Sequence, residues 1–192
     1  HGYDSAGVAI MNGKGVETRK VAGKISRLEN VVTANPLHGS IGIAHTRWAT
    51  HGAPTEGNAH PHTCCKGEIA VVHNGIIENA TALRLMLEER GHEFSSETDT
   101  EVVAHLVTQE MKEGRSPVEA VEAALLRLRG AFALAFLFKG QADLLIGARK
   151  GSPLAVGYGD GEMYLGSDAI ALAPFTDTIS YLEDGDWVVV SR

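Results

Sequence analysis

The sequence has few cysteines, no long apolar run and no cluster of basic residues. Its only two cysteines, Cys64 and Cys65, are adjacent, so they offer no disulfide framework and favour a reducing cytoplasm. No apolar stretch approaches the roughly 20 residues that a membrane helix needs, and no signal-peptide pattern stands at the start. With a formal net charge of −7 and no Lys/Arg patch, neither nucleic acid nor an anionic membrane is predicted as a partner.

The length and composition of the chain are typical of one globular domain. The chain has 192 residues, of which 44% are hydrophobic and 21% charged, enough for a sizeable core. No repeat, low-complexity tract or Pro/Gly/Ser-rich linker divides it, so a single domain over residues 1–192 is predicted.

Hydrophobic periodicity predicts strands, then helices, then strands. Helices are expected over Lys24–Ala34, after an Asn79 cap, after a Thr98–Glu101 capping box, and after Ser116. Short connections rich in Gly and Asp indicate antiparallel hairpins, and the order of elements indicates α+β layers. The predicted strands are Ala6–Ile10, Val16–Val21, Ile41–Ala44, Ile69–His73, Ala131–Phe138, Asp143–Ile146, Leu154–Val156, Met163–Leu165, Ile179–Leu182 and Trp187–Val190.

Two short motifs can carry chemistry or merely shape the backbone. In "VVHNGIIEN" (71–79), Asn74-Gly75 is a common turn pair, and sequence alone favours the turn. The alternative is an oxyanion hole, in which the Asn amide and the Gly N–H converge on one developing charge. In "SETDTE" (96–101), Asp99 at a helix start suits the helix dipole, which is the favoured interpretation, or it could receive a substrate ammonium.

A third motif, "HTRWATHG" (45–52), concentrates polar side chains that suit a small charged ligand. An arginine fork such as Arg47 recognises a carboxylate or phosphate with two parallel hydrogen bonds, although a lone arginine usually forms a surface salt bridge. Trp48 could equally be core, and Thr50 a turn hydroxyl. Together the motifs offer Arg47 to an α-carboxylate, Asp99 to an α-ammonium and Asn74-Gly75 to a carbonyl oxygen turning tetrahedral. Glutamine or asparagine fits these groups.

The motifs "GYDSAG" (2–7), "HTRWATHG", "NAHPH" (58–62), "HNGIIEN" (73–79) and "SETDTE" resemble the glutaminase domain of the glutamine–fructose-6-phosphate aminotransferase (isomerizing) family, the glucosamine-6-phosphate synthases. The likeness continues through "LRGAFA" (128–133), "ARKGSPL" (148–154) and "SDAIAL" (167–172). It implies a class II amidotransferase with the N-terminal-nucleophile hydrolase fold, a four-layer αββα sandwich with two stacked antiparallel sheets. The implied function is hydrolysis of L-glutamine, with the ammonia passing to fructose-6-phosphate on a separate sugar isomerase domain.

The resemblance also assigns residues to this function. Arg47 matches the carboxylate-binding arginine, and Asp99 matches the residue that holds the substrate amino group. Asn74 and Gly75 match the oxyanion hole. The adjoining residues that the resemblance places around the substrate are Trp48, Thr50, His51 and Gly2.

Two features depart from the resemblance. Family members begin with Cys-Gly, whose thiol is the nucleophile and whose α-amino group is the base, followed by a strand and a helix. The sequence shows no such segment, and His1 replaces the usual Arg. The resemblance therefore predicts an N-terminally truncated, inactive domain, in which an unpaired sheet edge favours a homodimer. The alternatives are a non-catalytic glutamine-binding or regulatory module, or the glutaminase domain of another class II amidotransferase.

Cys64 and Cys65 are the remaining candidates for chemistry. A replacement nucleophile would need a base and an oxyanion hole within reach, and the resemblance does not single out either cysteine. With His60 and His62 they supply the ligand types of zinc, but the spacing H-x-H-x-C-C is too cramped for the usual chelate. A structured loop with incidental cysteines is the favoured interpretation, and neither a metal nor a cofactor is predicted.

Overall fold

The computed structural model describes residues 3–64 and 67–191. Its helices are α1 (Ile25–Ala34), α2 (Ala80–Glu89), α3 (Asp99–Lys112), α4 (Pro117–Leu125) and α5 (Ala169–Leu172). Its strands are β1 (Ser5–Asn12), β2 (Gly15–Ala22), β3 (Ile41–Arg47), β4 (His62–Thr63), β5 (Ile69–Ile77), β6 (Gly130–Phe138), β7 (Leu145–Lys150), β8 (Ala155–Tyr158), β9 (Met163–Gly166), β10 (Thr178–Tyr181) and β11 (Trp187–Val190). Among these described residues, no helix has the length and apolar character to cross a membrane.

The strands form three antiparallel sheets. The first has the order β2-β1-β3, the second β11-β7-β6-β5-β4, and the third β10-β8-β9. The antiparallel hairpins predicted from short connections are confirmed by the pairings of β6 with β7 and of β8 with β9. The third, small sheet is an addition to the two sheets that the sequence predicted.

The first two sheets stack face to face, and helices cover both outer faces. Helix α1 packs on the first sheet through Leu28, which contacts Ala6 and Val21. Met11 and Ile43 belong to the apolar core between the two sheets. Helices α2, α3 and α4 cover the second sheet over the largest apolar core of the described residues. The four-layer αββα arrangement is therefore confirmed.

Strand β6 shows why both of its faces had to be covered. Successive side chains of a strand point to opposite faces. Phe132, Leu134 and Phe136 contact the helical core, whereas Ala135 and Leu137 contact the core between the sheets. The continuous apolar run in the sequence therefore reflects burial on both faces, as predicted.

Local signals at helix ends were correct in part. Ser116 forms the complete capping box with Glu119 that begins α4. Thr98 caps α3 by accepting from the Glu101 N–H, but the Glu101 carboxylate bonds to Ser95 and Ser96 and does not return to Thr98. The predicted capping box at α3 is therefore only half formed.

Asn79 stands at the N-cap position of α2, as predicted, but its side chain does not cap the helix. The Asn79 side chain makes no hydrogen bond to the first turn of this helix. Its Nδ2 donates to the Arg127 carbonyl at 2.8 Å, and its Oδ1 accepts from the Arg129 N–H at 2.9 Å. Asn79 thus ties the start of α2 to the chain that leads into β6.

The differences from the sequence prediction include the start of β7 and two short elements that it did not contain. Strand β7 begins at Leu145, because Leu144 still belongs to a turn closed by its N–H to the Gln141 carbonyl. Strand β4 has two residues and α5 a single turn, so neither is long enough to leave a periodic pattern in the sequence.

Strands β3 and β9 each lie at the edge of a sheet and face the same cleft. In the described part of the chain, β3 pairs only with β1, and β9 pairs only with β8. Both strands line a cleft of about 510 Å³, to which Asn74 of β5 also contributes. This β3–β9 cleft adjoins the candidate site.

Candidate active site

Arg47 ends β3 and closes the loop that follows it. The side chain is buried, and its guanidinium donates to the carbonyl oxygens of His51, Gly52 and Ala53, the last at 3.1 Å. Burial lowers the pKa of Arg47 from its usual value, while the carboxylates of Asp4 and Asp99 act in the opposite direction. Arg47 is thus not a lone surface cation.

The loop after Arg47 presents an indole and a hydroxyl to solvent. Trp48 is 67% exposed, so the interpretation of Trp48 as a core residue is wrong. Thr50 is also exposed. The loop is fixed at its start by the Ala49 N–H, which donates to the Asp4 carboxylate at 2.7 Å.

Asn74 and Gly75 lie inside β5 and not in a turn. Asn74 pairs with Ala133 and Gly75 with Phe132 across the β5–β6 ladder, so the turn interpretation is wrong. Gly75 has φ +114°, and a Cβ there would lie 2.1 Å from the Ala131 carbonyl oxygen. Glycine is therefore required because the two backbones approach closely.

Asp99 is the first residue of α3, and its carboxylate reaches back to the end of β5. Its Oδ2 accepts from the Ile77 N–H at 2.8 Å and lies 4.0 Å from His73 Nδ1. The helix cap itself is Thr98. Asp99 therefore links the start of α3 to the strand that carries Asn74 and Gly75, at the positive end of the helix dipole.

One cavity of about 430 Å³ brings the three motifs together. Its wall includes Arg47, Trp48, Thr50, Asn74, Gly75 and Asp99. His51 lies instead on an adjoining cavity of about 300 Å³, which shares Asp99. Gly2 falls outside the described residues.

Histidines that the sequence interpretation did not assign to the site form one wall of it. His45, His60 and His73 line the cavity, and the His45 and His60 rings stack with centroids 4.2 Å apart. His62 meets His60 edge to face at 5.0 Å. We call His45, His60, His62 and His73 the histidine cluster. The alternation His60-x-His62 in "NAHPH" was the available signal, because residues two apart in an extended chain share a face.

Threonine hydroxyls of α3 and its cap hold the histidine cluster. Thr100 Oγ1 lies 3.0 Å from His73 Nδ1 and 3.3 Å from His60 Nε2, and Thr98 Oγ1 lies 2.9 Å from His62 Nε2.

Burial keeps the histidine cluster uncharged at neutral pH. It lowers the pKa of His62 to about 3, assisted by the Lys20 ammonium. It lowers the pKa of His73 to about 4, against the opposing Asp99 carboxylate. Burial also lowers the pKa values of His45 and His60.

The cysteine candidates do not meet the cavity. Cys64 is buried in the apolar core between the second sheet and the helices, and Cys65 lies outside the described residues. His60 and His62 direct Nε2 at threonine hydroxyls. Among residues 3–64 and 67–191, no group of three or more His, Cys, Asp or Glu side chains is arranged to hold a metal ion.

Comparison with known sequences gives consistent matches. The profile of the glutamine amidotransferase domain family matches residues 45–174. Over 191 residues the chain is 64% identical to the glutamine–fructose-6-phosphate aminotransferase (isomerizing) of Brucella abortus biovar 1 (strain 9-941), and 63% identical to that of Zymomonas mobilis subsp. mobilis. Each match covers all of this chain and 31% of the relative. The chain thus spans about a third of the length of these relatives.

Solved structures share this fold, and one of the two described here is an amidotransferase by name. The glutamine phosphoribosylpyrophosphate amidotransferase of B. subtilis superposes with a TM-score of 0.80 at 28% identity, covering 99% of this chain and 41% of that one. An allosteric regulatory enzyme of purine biosynthesis superposes with a TM-score of 0.82 at 26% identity, with the same coverage.

Proposed function

Since the chain belongs to the glutamine amidotransferase family and has the N-terminal-nucleophile hydrolase fold of its class II members, we propose that its cavity binds L-glutamine for hydrolysis of the side-chain amide. One observation carries the proposal. A single cavity of about 430 Å³ combines a cation, a carboxylate and an Asn-Gly pair, contributed by Arg47, Asp99 and Asn74-Gly75. These are the groups that a free amino acid with an amide side chain requires.

Arg47 and Asp99 bind the two charged groups of the substrate α-carbon. The Arg47 fork donates to the α-carboxylate, and its bonds to the loop carbonyls orient it before the ligand arrives. The Asp99 carboxylate accepts the α-ammonium, and the Ile77 N–H holds it in place. Trp48 and Thr50 line the same cavity and His51 lines the adjoining one, and the resemblance adds Gly2 to the residues around the substrate.

Asn74 and Gly75 stabilise the charge that develops on the amide oxygen. When a thiolate attacks the amide carbon, the carbonyl oxygen becomes an oxyanion that needs fixed donors. The Asn74 side-chain NH₂ and the Gly75 backbone N–H supply them. The absence of a side chain at Gly75 lets this part of β5 lie close to the Ala131 carbonyl oxygen of β6.

The nucleophile of this reaction is a cysteine thiol at the amino end of the catalytic domain, as the resemblance implies. Its sulfur forms a thioester with the glutamine side chain as the C–N bond breaks and ammonia leaves; water then releases glutamate. Cys64 is buried in the helical core and is not part of the cavity wall. We therefore expect the 192-residue chain alone to release no ammonia from glutamine.

The relatives at 63–64% identity are named for fructose-6-phosphate, and they support that acceptor. In this proposal the ammonia passes to a sugar isomerase domain of the same protein, in the cytoplasm and without a nucleic-acid, membrane or cofactor partner. The edges of β3 and β9 pair with no further strand of the described residues, and they support a homodimer because such edges pair readily with a second chain.

The test is ammonia release from L-glutamine by the full-length protein, with L-asparagine as the control substrate. Glucosamine-6-phosphate should form when fructose-6-phosphate is added. Glutamine binding by calorimetry without any turnover would favour the alternative, a non-catalytic glutamine-binding or regulatory module. Turnover without formation of the amino sugar would assign the chain to another class II amidotransferase.

A further inference from the structure

His45 lies beside the candidate oxyanion hole and touches one end of its amide. His45 Nε2 and Asn74 Oδ1 are 2.7 Å apart, across the gap between the first and second sheets. Because Oδ1 carries no hydrogen, the ring nitrogen is the donor. Both residues also face the β3–β9 cleft and the glutamine cavity, so this bond lies where the two spaces meet.

The direction of this bond decides which end of the amide faces the substrate. An asparagine amide has an accepting oxygen and a donating NH₂ on the same carbon, and a rotation by half a turn exchanges them. Only the NH₂ end stabilises an oxyanion; the oxygen end repels it. We propose that His45 is a positioning residue for amide hydrolysis, which donates from Nε2 to Asn74 Oδ1 and so keeps the Asn74 NH₂ towards the substrate. This inference rests on the proposed function.

The His45 ring is itself held in one orientation. It stacks on the His60 ring with 15° between the planes, and Thr100 Oγ1 lies 3.3 Å from His60 Nε2. The His73 N–H donates to the other ring nitrogen of His60 at 3.3 Å. Both ring nitrogens of His60 therefore have hydrogen-bond partners, which fix the ring on which His45 stacks.

The backbone around His45 is shaped to admit this stack. Gly7 pairs with His45 across β1 and β3. A Cβ at Gly7 would lie 2.0 Å from the His60 carbonyl oxygen. The segment that carries His60 therefore packs directly against the backbone of β1, and the stack depends on glycine at this position.

Kinetics of three variants of the full-length protein test the proposal. His45→Phe keeps an aromatic ring on His60 but removes the donor, whereas His45→Gln keeps an N–H donor at a similar reach. Loss of one oxyanion donor costs about 10²- to 10³-fold in kcat. We expect His45→Phe to lower kcat by about 10- to 100-fold, with KM for glutamine within about twofold, since only part of that donor's effect is lost. His45→Gln should recover kcat to within about fivefold of wild type.

The matched control is His92→Phe. His92 is also a buried histidine, in the connection between α2 and α3. It forms a hydrogen bond with Gln109 of α3 and does not line the cavity. It should keep the wild-type kcat. A kcat of His45→Phe within twofold of wild type would overturn the inference. So would an equally low kcat in His45→Gln, because that variant keeps the donor.

A second measurement examines the bond in the 192-residue chain and does not depend on turnover. Long-range ¹H–¹⁵N spectra of histidine-labelled chain distinguish the two neutral tautomers, and the spectrum of His45→Gln identifies the signals of His45. We expect the proton on Nε2 at pH 7.5. A proton on Nδ1 would overturn the inference, because Nε2 would then accept from Asn74 and its amide would face the opposite way. Absence of glutamine turnover in the wild-type full-length protein would instead refute the proposed function.

Discussion

Lowering the pH from 7 to 5 should destabilise this fold strongly, because its buried histidines remain neutral in the folded chain. The pKa of His62 is lowered from 6.5 to about 3 and that of His73 from 6.5 to about 4, in both cases chiefly by burial. The unfolded chain takes up protons at these residues below pH 6.5, whereas the folded chain does not until pH 3–4. Above pH 6.5 these histidines therefore cost the fold nothing. As the pH falls from 6.5 to about 3–4, they lower the free energy of unfolding progressively.

These two residues give a lower limit for the size of the effect, because burial also lowers the pKa values of His45 and His60. For each group that stays neutral in the folded chain, every pH unit below the unfolded pKa lowers the free energy of unfolding by about 1.36 kcal/mol. At pH 5 each histidine is about 1.5 units below that value, so each costs about 2 kcal/mol and both together about 4 kcal/mol. The charged groups that face His62 are Lys20 and Arg47, which lower its pKa further, and Glu101, which opposes them.

Urea denaturation at pH 7 and pH 5 measures this loss. With a slope of about 2 kcal/mol per molar urea, the midpoint should fall by at least about 2 M. His62→Gln should reduce the shift by about 1 M, since it removes one group's cost of about 2 kcal/mol. His38→Gln, which replaces an exposed histidine, serves as the control and should leave the shift unchanged. Equal midpoints at both pH values, or a full shift in His62→Gln, would refute the argument.

Three substitutions test the proposed glutamine site in the full-length protein. Arg47→Ala should lower kcat/KM for glutamine by about 30-fold or more, because truncating one partner of a closed charged pair costs about 2–5 kcal/mol; a value within twofold of wild type would leave Arg47 only its loop contacts. Asp99→Asn keeps an acceptor for the Ile77 N–H, so calorimetry should show loss of glutamine binding with little change in Tm; the reverse pattern contradicts the role. Gly75→Ala should lose about 2 kcal/mol or more in urea denaturation, because its Cβ meets the Ala131 carbonyl, whereas Gly140→Ala, also at positive φ but in open space, should lose less.

Elements defined by neighbours in sequence could be predicted well. The capping box at Ser116 uses residues three apart, and the run over β6 records burial on two faces within nine residues. The Asn79 cap failed because backbone groups about fifty residues away, at Arg127 and Arg129, bind its side chain. A local pattern cannot report a competing partner that folding brings from so far along the chain.

The candidate site shows the same limit. Asn74-Gly75 was expected to be a turn, but the positive φ of Gly75 serves a close approach to Ala131 on the neighbouring strand. Asp99 was expected at a helix start, where it lies, but its hydrogen bond with the Ile77 N–H on β5 could not be predicted from neighbouring residues. The resemblance assigned Asn74, Gly75 and Asp99 to one site, and the structure places them on the wall of one cavity. It said nothing of His45, whose contact with Asn74 depends on the stacking of two sheets.

The close packing of β5 against β6 also restricts how these strands can pair during folding. Gly75 lies against the Ala131 carbonyl, and a Cβ at Gly130 would lie 2.2 Å from the Ile76 carbonyl oxygen. A slip of one residue in either direction would place a side chain where only a hydrogen atom fits. Misaligned pairings are therefore excluded by atomic overlap as well as by lost contacts, and the strand that carries Asn74 enters the sheet in a single register.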